Sequence, residues 1–550
     1  MRVTLCAINS KYIHSTLAVW YLRAATEGIC ECSVVEGTIN EDIEKIVEKV
    51  EAQKPELLAI STYIWNKKQT LELAQKIKSK TNATVLLGGP EVSYNPKEIL
   101  ETYPFVDYVL CGEGEEPFAK LCCGASVDGI DGLCYKKCGG VVIKPPFLSK
   151  NDPPNPYTRE YFEALNGRIA YLETSRGCPF RCAFCLSGRC GGVRFFDLQQ
   201  AKKNIVLLAN SGTQTVKLID RTFNADRKRA KELFSFIISE HCKSIPKGVC
   251  FHFEIEGELL DSETLDVLKS APVGLIQFEI GLQSFNEQTL DAINRRTNIA
   301  LLTKNILKVL SLRNIHTHID LIIGLPHEDM ASFKRSFDMA YNLKPHMLQV
   351  GFLKLLHGAS LREEQNDEKC EFTDTPPYEI LSNSWLTREE IARLHLFEDA
   401  FEKMYNSRRF ALTCAYLESL IESPFEMYMG LSGFAKEKSV KTLDDFTKCI
   451  YDYFGELSLV NKDKLRDTLA IDRLATNKMG ALPEFLKVKH PNLKKTLCSL
   501  EQNESTRRPQ NIKRAATPLL TENRVAYVDY CDCDYLTNRF LVKFTEICGE

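Results

Sequence analysis

The sequence predicts an α/β protein with two regions in which strands and helices alternate, followed by a mostly helical region. In residues 1–125, apolar strand-like runs such as RVTLCAIN and LLAIST are separated by helical runs such as EDIEKIVEKVEAQKP. The alternation returns in residues 168–365, where six apolar runs end in polar or glycine-containing turns. Strands that alternate with helices in this way are typical of parallel sheets.

Each region predicts one architecture. Residues 1–125 fit a Rossmann-like doubly wound parallel sheet, and the Pro- and Gly-rich residues 126–167 predict a linker. Residues 168–365 are too few for a closed eight-unit barrel of about 250 residues, so they predict a partial TIM-like (β/α) barrel. Residues 366–550 predict a mainly helical C-terminal domain, with a strand or hairpin at RVAYVDYCDCDYLTNRF.

The composition argues against several classes of function. The 550-residue chain has a net charge of −3 and therefore no overall basic field for a nucleic-acid polymer. Its apolar runs are shorter than the roughly 18 residues of a membrane span, so no membrane association is expected. The start, MRVTLCAINS, resembles a strand and not a signal peptide, so a cytoplasmic location is expected. Isolated cysteines such as Cys6 and Cys250 are expected to be structural, without a disulfide framework.

Three cysteines crowd into RGCPFRCAFCLSG, directly after the first strand of the predicted barrel. Cys178, Cys182 and Cys185 have the spacing C-x3-C-x2-C. Three thiolates at this spacing can hold three irons of a cubic [4Fe–4S] cluster. The absence of a fourth ligand would leave one iron open, which is typical of a working metal site. The alternatives are a zinc site, with Cys190 as the fourth ligand, and plain structural cysteines.

The motif also contains an aromatic residue, Phe184, one position before the third cysteine. Together with the position after the first barrel strand, this resembles the radical S-adenosylmethionine (radical SAM) superfamily. The resemblance implies that the open iron binds the amino and carboxylate groups of SAM. An electron from the cluster would then cleave SAM into methionine and a 5′-deoxyadenosyl radical. It also implies an electron donor such as flavodoxin or ferredoxin.

The same resemblance suggests further cofactor-binding residues at the ends of the following barrel strands. Carboxylates at strand ends in a barrel mouth are poor candidates for pure packing, although strand glutamates can simply be solvated. Two residues after the sixth strand are candidate catalytic or phosphate-binding groups, Lys354 and His357, which can equally be surface residues. The candidates for SAM binding are Phe184, Asp220, Asn224, Glu254, Glu256, Glu279, Gln283 and Arg296.

The N-terminal region resembles the cobalamin-binding-like domain that precedes one branch of radical SAM enzymes. The resemblance is carried by LLGGPEVSYNPKEIL and VDYVLCGEGEEPF. No D-x-H-x-x-G motif is present, and Glu91 stands where GGPH would place a histidine. The strand-end loops carry bulky Tyr63, Trp65 and Tyr94, which could fill the space of a corrin ring. Cobalamin binding is therefore not expected, and the domain is interpreted as a retained scaffold.

The three-part layout is similar to that of queuine lyases. This similarity suggests a lyase that releases queuine from queuosine 5′-phosphate, a reaction of queuine salvage. The expected substrate is a small molecule, a modified nucleoside 5′-phosphate. The alternatives are a cobalamin-dependent radical SAM methyltransferase and an iron–sulfur or zinc sensor module.

Overall fold

The computed structural model describes residues 1–364, 370–438, 440–478, 481–503 and 514–548. The chain divides into two compact units. The first unit comprises Met1–Glu279, Asp291–Asn305 and Phe352–Ser384, and the second comprises Ile280–Leu290, Ile306–Gly351 and Trp385–Glu550.

The N-terminal part of the first unit alternates strands and helices. Its elements are β1 (Arg2–Asn9), α1 (Leu17–Ala25), β2 (Glu31–Thr38), α2 (Ile43–Ala52), β3 (Leu57–Ser61), α3 (Lys67–Lys80), β4 (Thr84–Gly88), α4 (Pro90–Ser93), α5 (Pro96–Thr102), β5 (Tyr108–Leu110), α6 (Glu115–Cys122), β6 (Leu133–Lys137) and β7 (Gly140–Val142).

These strands form one sheet in the order β2-β1-β3-β4-β5-β6-β7. Neighbours from β2 to β5 run parallel, which confirms the predicted parallel sheet. Strands β6 and β7 extend the sheet in antiparallel pairing. Both strands lie in residues 126–167, the stretch predicted as a linker. The turn between them contains Gly139, whose positive φ of +80° suits glycine.

The apolar runs of this region become strands because the sheet is covered on both faces. Every residue of β1 from Val3 to Asn9 is buried. Helix α2 begins after Asp42, whose carboxylate caps its first turn. Cys6 belongs to the same apolar core, where each buried aliphatic side chain contributes about 1.5–3 kcal/mol. The face of α2 in this core consists of Ile46, Val47 and Val50.

The remaining elements follow in chain order. They are α7 (Arg159–Leu165), β8 (Ala170–Leu172), β9 (Ser175–Cys178), β10 (Gly192–Phe195), α8 (Leu198–Ala209), β11 (Thr215–Leu218), α9 (Arg227–Glu240), β12 (Cys250–Ile255), α10 (Ser262–Lys269), β13 (Ile276–Gln283), α11 (Glu287–Ala292), α12 (Ile299–Leu312), β14 (Ile315–Ile323), α13 (Met330–Asn342), β15 (Met347–Phe352), α14 (Ser360–Glu364), β16 (Glu371–Phe372), β17 (Ile380–Ser382), α15 (Arg388–Phe401), α16 (Ala411–Glu418), α17 (Pro424–Glu437), α18 (Leu443–Gly455), α19 (Lys462–Thr476), α20 (Leu493–Asn503), β18 (Ala515–Pro518), β19 (Arg524–Val528) and β20 (Lys543–Glu546).

Six of these strands, β8 and β11 to β15, alternate with helices along the chain, which confirms the predicted partial barrel. In the first unit, β11 pairs in parallel with β8 on one side and β12 on the other. Strands β9 and β10 form a separate antiparallel hairpin, with Cys178 opposite Gly192.

The two faces of this parallel sheet differ. Residues of β12 alternate between buried and half-buried positions. On the buried face, the ring of Phe253 lies 4.6 Å from Phe223 and 5.0 Å from Phe234, measured between centroids. The other face of the sheet is polar and carries Tyr171, Lys217, His252, Glu254 and Glu279.

The second unit is mainly helical and has an aromatic core. The ring of Phe337 in α13 lies 4.8 Å from Phe397 in α15 and 6.0 Å from Phe425 in α17. The antiparallel sheet β18-β19-β20 includes the run RVAYV, so the strand predicted there is confirmed. Among the described residues, no helix has both the length and the apolar character that a membrane crossing requires.

Candidate functional site

The three cysteines lie in the loop between β9 and β10, which we call the cysteine loop (residues 178–191). Cys178 ends β9, and a tight turn follows in which the backbone N–H of Cys185 donates to the carbonyl of Cys182 at 3.0 Å. The loop then returns so closely that a Cβ atom at Gly188 would lie 2.8 Å from the carbonyl oxygen of Phe180. Glycine is therefore required there.

The three thiols have different surroundings. Cys182 is buried, whereas Cys178 and Cys185 are half-buried. Burial raises the pKa of the Cys182 thiol, and the guanidinium of Arg295 opposes this rise. The Sγ atom of Cys178 lies 3.3 Å from the hydroxyl oxygen of Thr222. The side chain of Cys190 lies outside the described residues.

The donor set fits a cluster better than a single ion. In the described parts of the chain, no three His, Cys, Asp or Glu side chains are arranged to hold one metal ion. A cubic cluster distributes its thiolate ligands over separate irons, so the three sulfurs need not converge on one point. Three soft sulfur donors within eight residues are consistent with that group.

Asp220 supports the chain that leads into the cysteine loop. Its carboxylate is buried and accepts hydrogen bonds from the hydroxyls of Thr174 (2.7 Å) and Ser175 (2.5 Å) and from the backbone N–H of Thr174. Burial raises the pKa of Asp220, and these donors oppose the rise. Asn224, also predicted, bonds the backbone of Glu256 at both its N–H (2.9 Å) and its carbonyl (2.8 Å). The side chains of Asp220 and Asn224 therefore hold the backbone of Thr174 and of Glu256, respectively, in place.

Glu254 and Glu279 lie on the polar face and share one lysine. Lys217 Nζ is 3.3 Å from Glu254 Oε1 and 3.0 Å from Glu279 Oε2. Nε2 of His252 lies 2.9 Å from the same oxygen of Glu279. The nearby carboxylates raise the pKa of Lys217 although burial lowers it, so the lysine stays charged. Of this group, Lys217 lines the first of the cavities described below and can hydrogen-bond a polar ligand there.

The other predicted cofactor residues are dispersed. Phe184 is half-buried in the cysteine loop, and Gln283 is buried in the second unit. Arg296 is exposed, whereas its neighbour Arg295 is buried and forms the carboxylate pair, with Glu256, at 2.7 Å. Arg295 could not be identified from the sequence, because periodicity does not show which side chain of a loop between two helices turns inward.

The two candidate catalytic residues do not line the cavities described below. Lys354 is exposed. His357 lies edge-on against Tyr378, with ring centroids 5.0 Å apart. The hydroxyl of Tyr378 donates a hydrogen bond to the carboxylate of Glu91, which is buried. The same carboxylate forms an ion pair with Lys67 at 3.0 Å. These contacts connect chain segments within the first unit, and both involve the Oε1 atom of Glu91.

Acidification should test the environment of His357. Burial lowers the pKa of His357 to about 4, and the charges of Arg362 and Lys67 add to this effect. The unfolded chain, with a histidine pKa of about 6.5, binds more protons between pH 6.5 and 4, so stability falls as the pH drops through this window. We expect His357→Gln to flatten the pH dependence of the unfolding midpoint there. A pH profile that matches the unsubstituted protein would contradict this assignment.

The first unit contains two cavities that share a wall. The first, of about 660 Å³, is lined by the carboxyl ends of β3 and β4 with the residues that follow them, by residues 112–115 after β5, and by Tyr171 and Lys217 of the polar face. The second, of about 1030 Å³, is lined by part of the cysteine loop and by β10. Both cavities are lined by Gly89, Gly112, Glu113, Glu173, Arg176, Ile219 and Arg221.

Arg176 is the most heavily paired residue of the shared wall. Its guanidinium lies 2.7 Å from Glu113, 2.6 Å from Glu115 and 3.0 Å from Glu173. A second arginine, Arg194, also pairs with Glu113, at 2.6 Å. Because Arg176 precedes Cys178 by two residues, this network fixes the start of the cysteine loop against the N-terminal sheet's loop 113–115.

The strand-end aromatics leave the first cavity open. The rings of Tyr63 and Trp65 stack on each other, with centroids 4.4 Å apart and planes within 5°. They form a flat wall of the cavity, and Trp65 is 43% exposed. Tyr94 borders the second cavity and packs against Gly358. The cavity therefore offers open space at the strand ends, where a corrin ring needs it.

Three family models match parts of the chain. Residues 3–122 match the B12 binding domain, residues 172–340 match the Radical SAM superfamily, and residues 367–536 match a protein of unknown function, DUF4080. The chain thus carries a radical SAM domain preceded by a B12-binding domain, which confirms the resemblance seen in the sequence.

Known relatives are similar over part of their length. The cobalamin-dependent radical SAM methyltransferase TokK of Streptomyces tokunonensis is 26% identical over 351 residues, which cover 59% of this chain and 50% of TokK. The chain therefore spans half the length of this relative. The anaerobic magnesium-protoporphyrin IX monomethyl ester cyclase of Rubrivivax gelatinosus is 24% identical over 427 residues, or 72% of this chain and 73% of the cyclase.

A solved structure shares the fold. The cobalamin-dependent S-adenosylmethionine radical enzyme OxsB, with aqua-cobalamin and S-adenosylmethionine bound, superposes with a TM-score of 0.59 at 16% identity. The superposition covers 92% of this chain and 80% of OxsB.

Two expectations from the sequence are corrected by these findings. The expectation that cobalamin is not bound is wrong, because residues 3–122 match a B12-binding domain and the aromatic pair borders an open cavity. The lyase interpretation, with release of queuine, is also overturned. The matched domains and the relative TokK support the alternative, cobalamin-dependent methyl transfer, instead. The layout misled because it is common to enzymes of different reactions.

Proposed function

We propose that this chain is a cobalamin-dependent radical SAM methyltransferase that acts on a small molecule. The observation that carries the proposal is the shared wall of the two cavities. The first cavity is lined by strand-end residues of the B12-binding domain, and the second is lined by Ser187, Arg189 and Gly191 of the cysteine loop; Cys178, Cys182 and Cys185 themselves line neither cavity. A methyl carrier and an iron–sulfur cluster could thus serve one reaction space.

Residues for each group follow from this arrangement. Cys178, Cys182 and Cys185 would hold a [4Fe–4S] cluster. The strand-end loops 59–65, 88–89 and 112–115 would hold cobalamin against the edge of the N-terminal sheet. When bound, cobalamin supplies a methyl carrier, and the cluster supplies the electron that cleaves SAM.

The chain's own residues would orient the reactants and exclude water. Lys217, Glu254 and Glu279 present a charged hydrogen-bonding group on the polar face, suited to the polar parts of SAM or of the methyl acceptor. The caged Arg176 separates the two cavities and keeps the cysteine loop in place. An enclosed site protects a radical from side reactions with solvent.

An anionic acceptor, such as a modified nucleoside 5′-phosphate, is the substrate class that we propose. The second cavity supports it because cationic side chains outnumber carboxylates in its lining; Arg176 and Arg194 pair with Glu113, whereas the side chain of Arg221 is 58% exposed. The cationic side chains in the lining of the second cavity are Lys144, Arg176, Arg189, Arg194 and Arg221.

A flavodoxin or ferredoxin is the proposed electron donor.

Cobalamin binding tests the central part of the proposal. Gly88 ends β4 and lines the first cavity, and a Cβ atom there would meet nothing closer than the carbonyl oxygen of Leu110 at 3.8 Å. We expect Gly88→Leu to fold but to fill the cavity. Its hydroxocobalamin affinity, measured by absorbance titration, should fall at least about tenfold, or 1.4 kcal/mol.

The matched control is Gly129→Leu, because a Cβ atom at Gly129 has no neighbour within 4 Å. This variant should bind cobalamin like the unsubstituted protein. With cobalamin, reductant and SAM carrying a deuterated methyl group, the label should appear on an acceptor screened among nucleoside 5′-phosphates. Absence of cobalamin binding, or a cobalamin-independent product, would overturn the proposal.

A further inference from the structure

A buried arginine donates to the sulfur of one predicted cluster ligand. Nη1 of Arg295 lies 3.7 Å from Sγ of Cys182, within the hydrogen-bond range of sulfur. Only 9% of Arg295 and 9% of Cys182 are exposed, so water does not screen the contact well.

The segment that carries Arg295 is fixed to the cysteine loop by its backbone. The N–H of Ala183 donates to the carbonyl of Ile293 at 2.8 Å. The side-chain amide of Asn294 donates to the carbonyl of Arg181 at 2.9 Å. Arg295 is therefore held beside Cys182 by neighbours on both sides of that cysteine. These hydrogen bonds between the segment and the cysteine loop fix the position of the guanidinium.

A buried carboxylate balances this cation. Nη2 of Arg295 lies 2.7 Å from Glu256 Oε2, and Glu256 is 5% exposed. The backbone of Glu256 is in turn clamped by both ends of the Asn224 side-chain amide. The planar fork of one guanidinium thus joins the thiol and the carboxylate in fixed positions.

We propose that Arg295 and Glu256 set the reduction potential of the cluster held by the cysteine loop, acting in opposite directions. Reduction adds one negative charge that spreads onto the ligand sulfurs. A buried donor to Cys182 stabilises the reduced form and raises the potential, and the nearby carboxylate lowers it. The inference rests on the proposed function only in requiring the [4Fe–4S] cluster; cobalamin and methyl transfer do not enter it. Arg295 is a positioning residue in this role.

A merely structural role makes a different prediction. If the pair only held the loop, removing either partner would loosen the cluster and disturb the potential without regard to sign. An electrostatic role requires opposite shifts from two substitutions of the same buried pair. The sign of the change therefore separates the two roles.

The test is an anaerobic redox titration of the reconstituted full chain, followed by the electron paramagnetic resonance signal of the reduced cluster. Arg295→Gln should lower the midpoint potential by at least 59 mV, a tenfold change in a one-electron equilibrium. Glu256→Gln, which is nearly isosteric, should raise it. Arg295→Lys keeps the charge and should give an intermediate value. An exposed arginine outside the proposed site provides the control: 90% of the Arg159 side chain is exposed, and Arg159→Gln should leave the potential unchanged.

Each outcome of the titration either supports or contradicts the electrostatic role of Arg295 and Glu256. Shifts of the same sign in Arg295→Gln and Glu256→Gln, or no shift with full iron and sulfide content, would overturn the inference while leaving the proposed function intact. Protein that takes up no cluster would overturn the cluster assignment and this inference together. If Arg295→Gln does not fold, opposite shifts in Arg295→Lys, which should have a lower potential than the unsubstituted protein, and in Glu256→Gln, which should have a higher one, still decide.

Discussion

Cys182→Ala protein should retain less than half of the iron of the unsubstituted protein after anaerobic reconstitution and should not cleave SAM. Cys182 is the buried member of the three cysteines, and its sulfur is the one that Arg295 contacts. Two remaining thiolates cannot hold three corners of a cubic cluster. Iron and acid-labile sulfide measure the cluster, and 5′-deoxyadenosine released under reduction measures SAM cleavage.

Cys242→Ala is the matched control, because Cys242 is an exposed cysteine outside the loop. It should keep full iron and activity. Full iron in Cys182→Ala would remove this residue from the cluster. Zinc in place of iron in anaerobically prepared protein would instead favour the metal-sensor alternative.

The second large effect concerns the arginine in the wall between the cavities. Arg176→Gln removes the cation that pairs with Glu113, Glu115 and Glu173 and leaves these carboxylates close together. Removing one partner of a buried ion pair costs about 3–5 kcal/mol. Because 19% of the Arg176 side chain is exposed, we expect the lower end, about 3 kcal/mol. Chemical denaturation monitored by circular dichroism measures the free energy of unfolding.

The matched control removes an arginine from a surface pair. Arg159 pairs with Glu163 at 2.8 Å, but 90% of its side chain is exposed. Arg159→Gln should change the free energy of unfolding by less than about 1 kcal/mol. Equal effects of the two substitutions would show that the network around Arg176 is screened by solvent.

The strand–helix alternation and the cysteine motif could be predicted because they depend on short-range patterns. The apolar runs of β1 and β3, and the spacing of Cys178, Cys182 and Cys185, are visible in a few residues. The strands of residues 126–167 were missed because glycine and proline mark turns inside a sheet as well as linkers.

Side-chain pairing across distant segments could not be predicted. Arg295, and not Arg296, reaches Glu256, which depends on how the loop before α12 is phased. Asp220 has the buried carboxylate that the sequence suggested, yet its partners, Thr174 and Ser175, precede it by more than forty residues. The sequence suggested that the aromatic side chains fill the space of a corrin ring at the strand ends. Two rings that stack on each other take up less of a cavity than two rings that each project into it, and Tyr63 and Trp65 stack on each other.

The stacked pair also gives the protein an optical reporter. The chain has only three tryptophans, and Trp65 stands in the wall of the first cavity with 43% of its surface exposed. An absorbing ring in that cavity would accept its excitation energy, so emission from Trp65 should report occupancy directly. The cavity can thus be followed by light before any substrate is known.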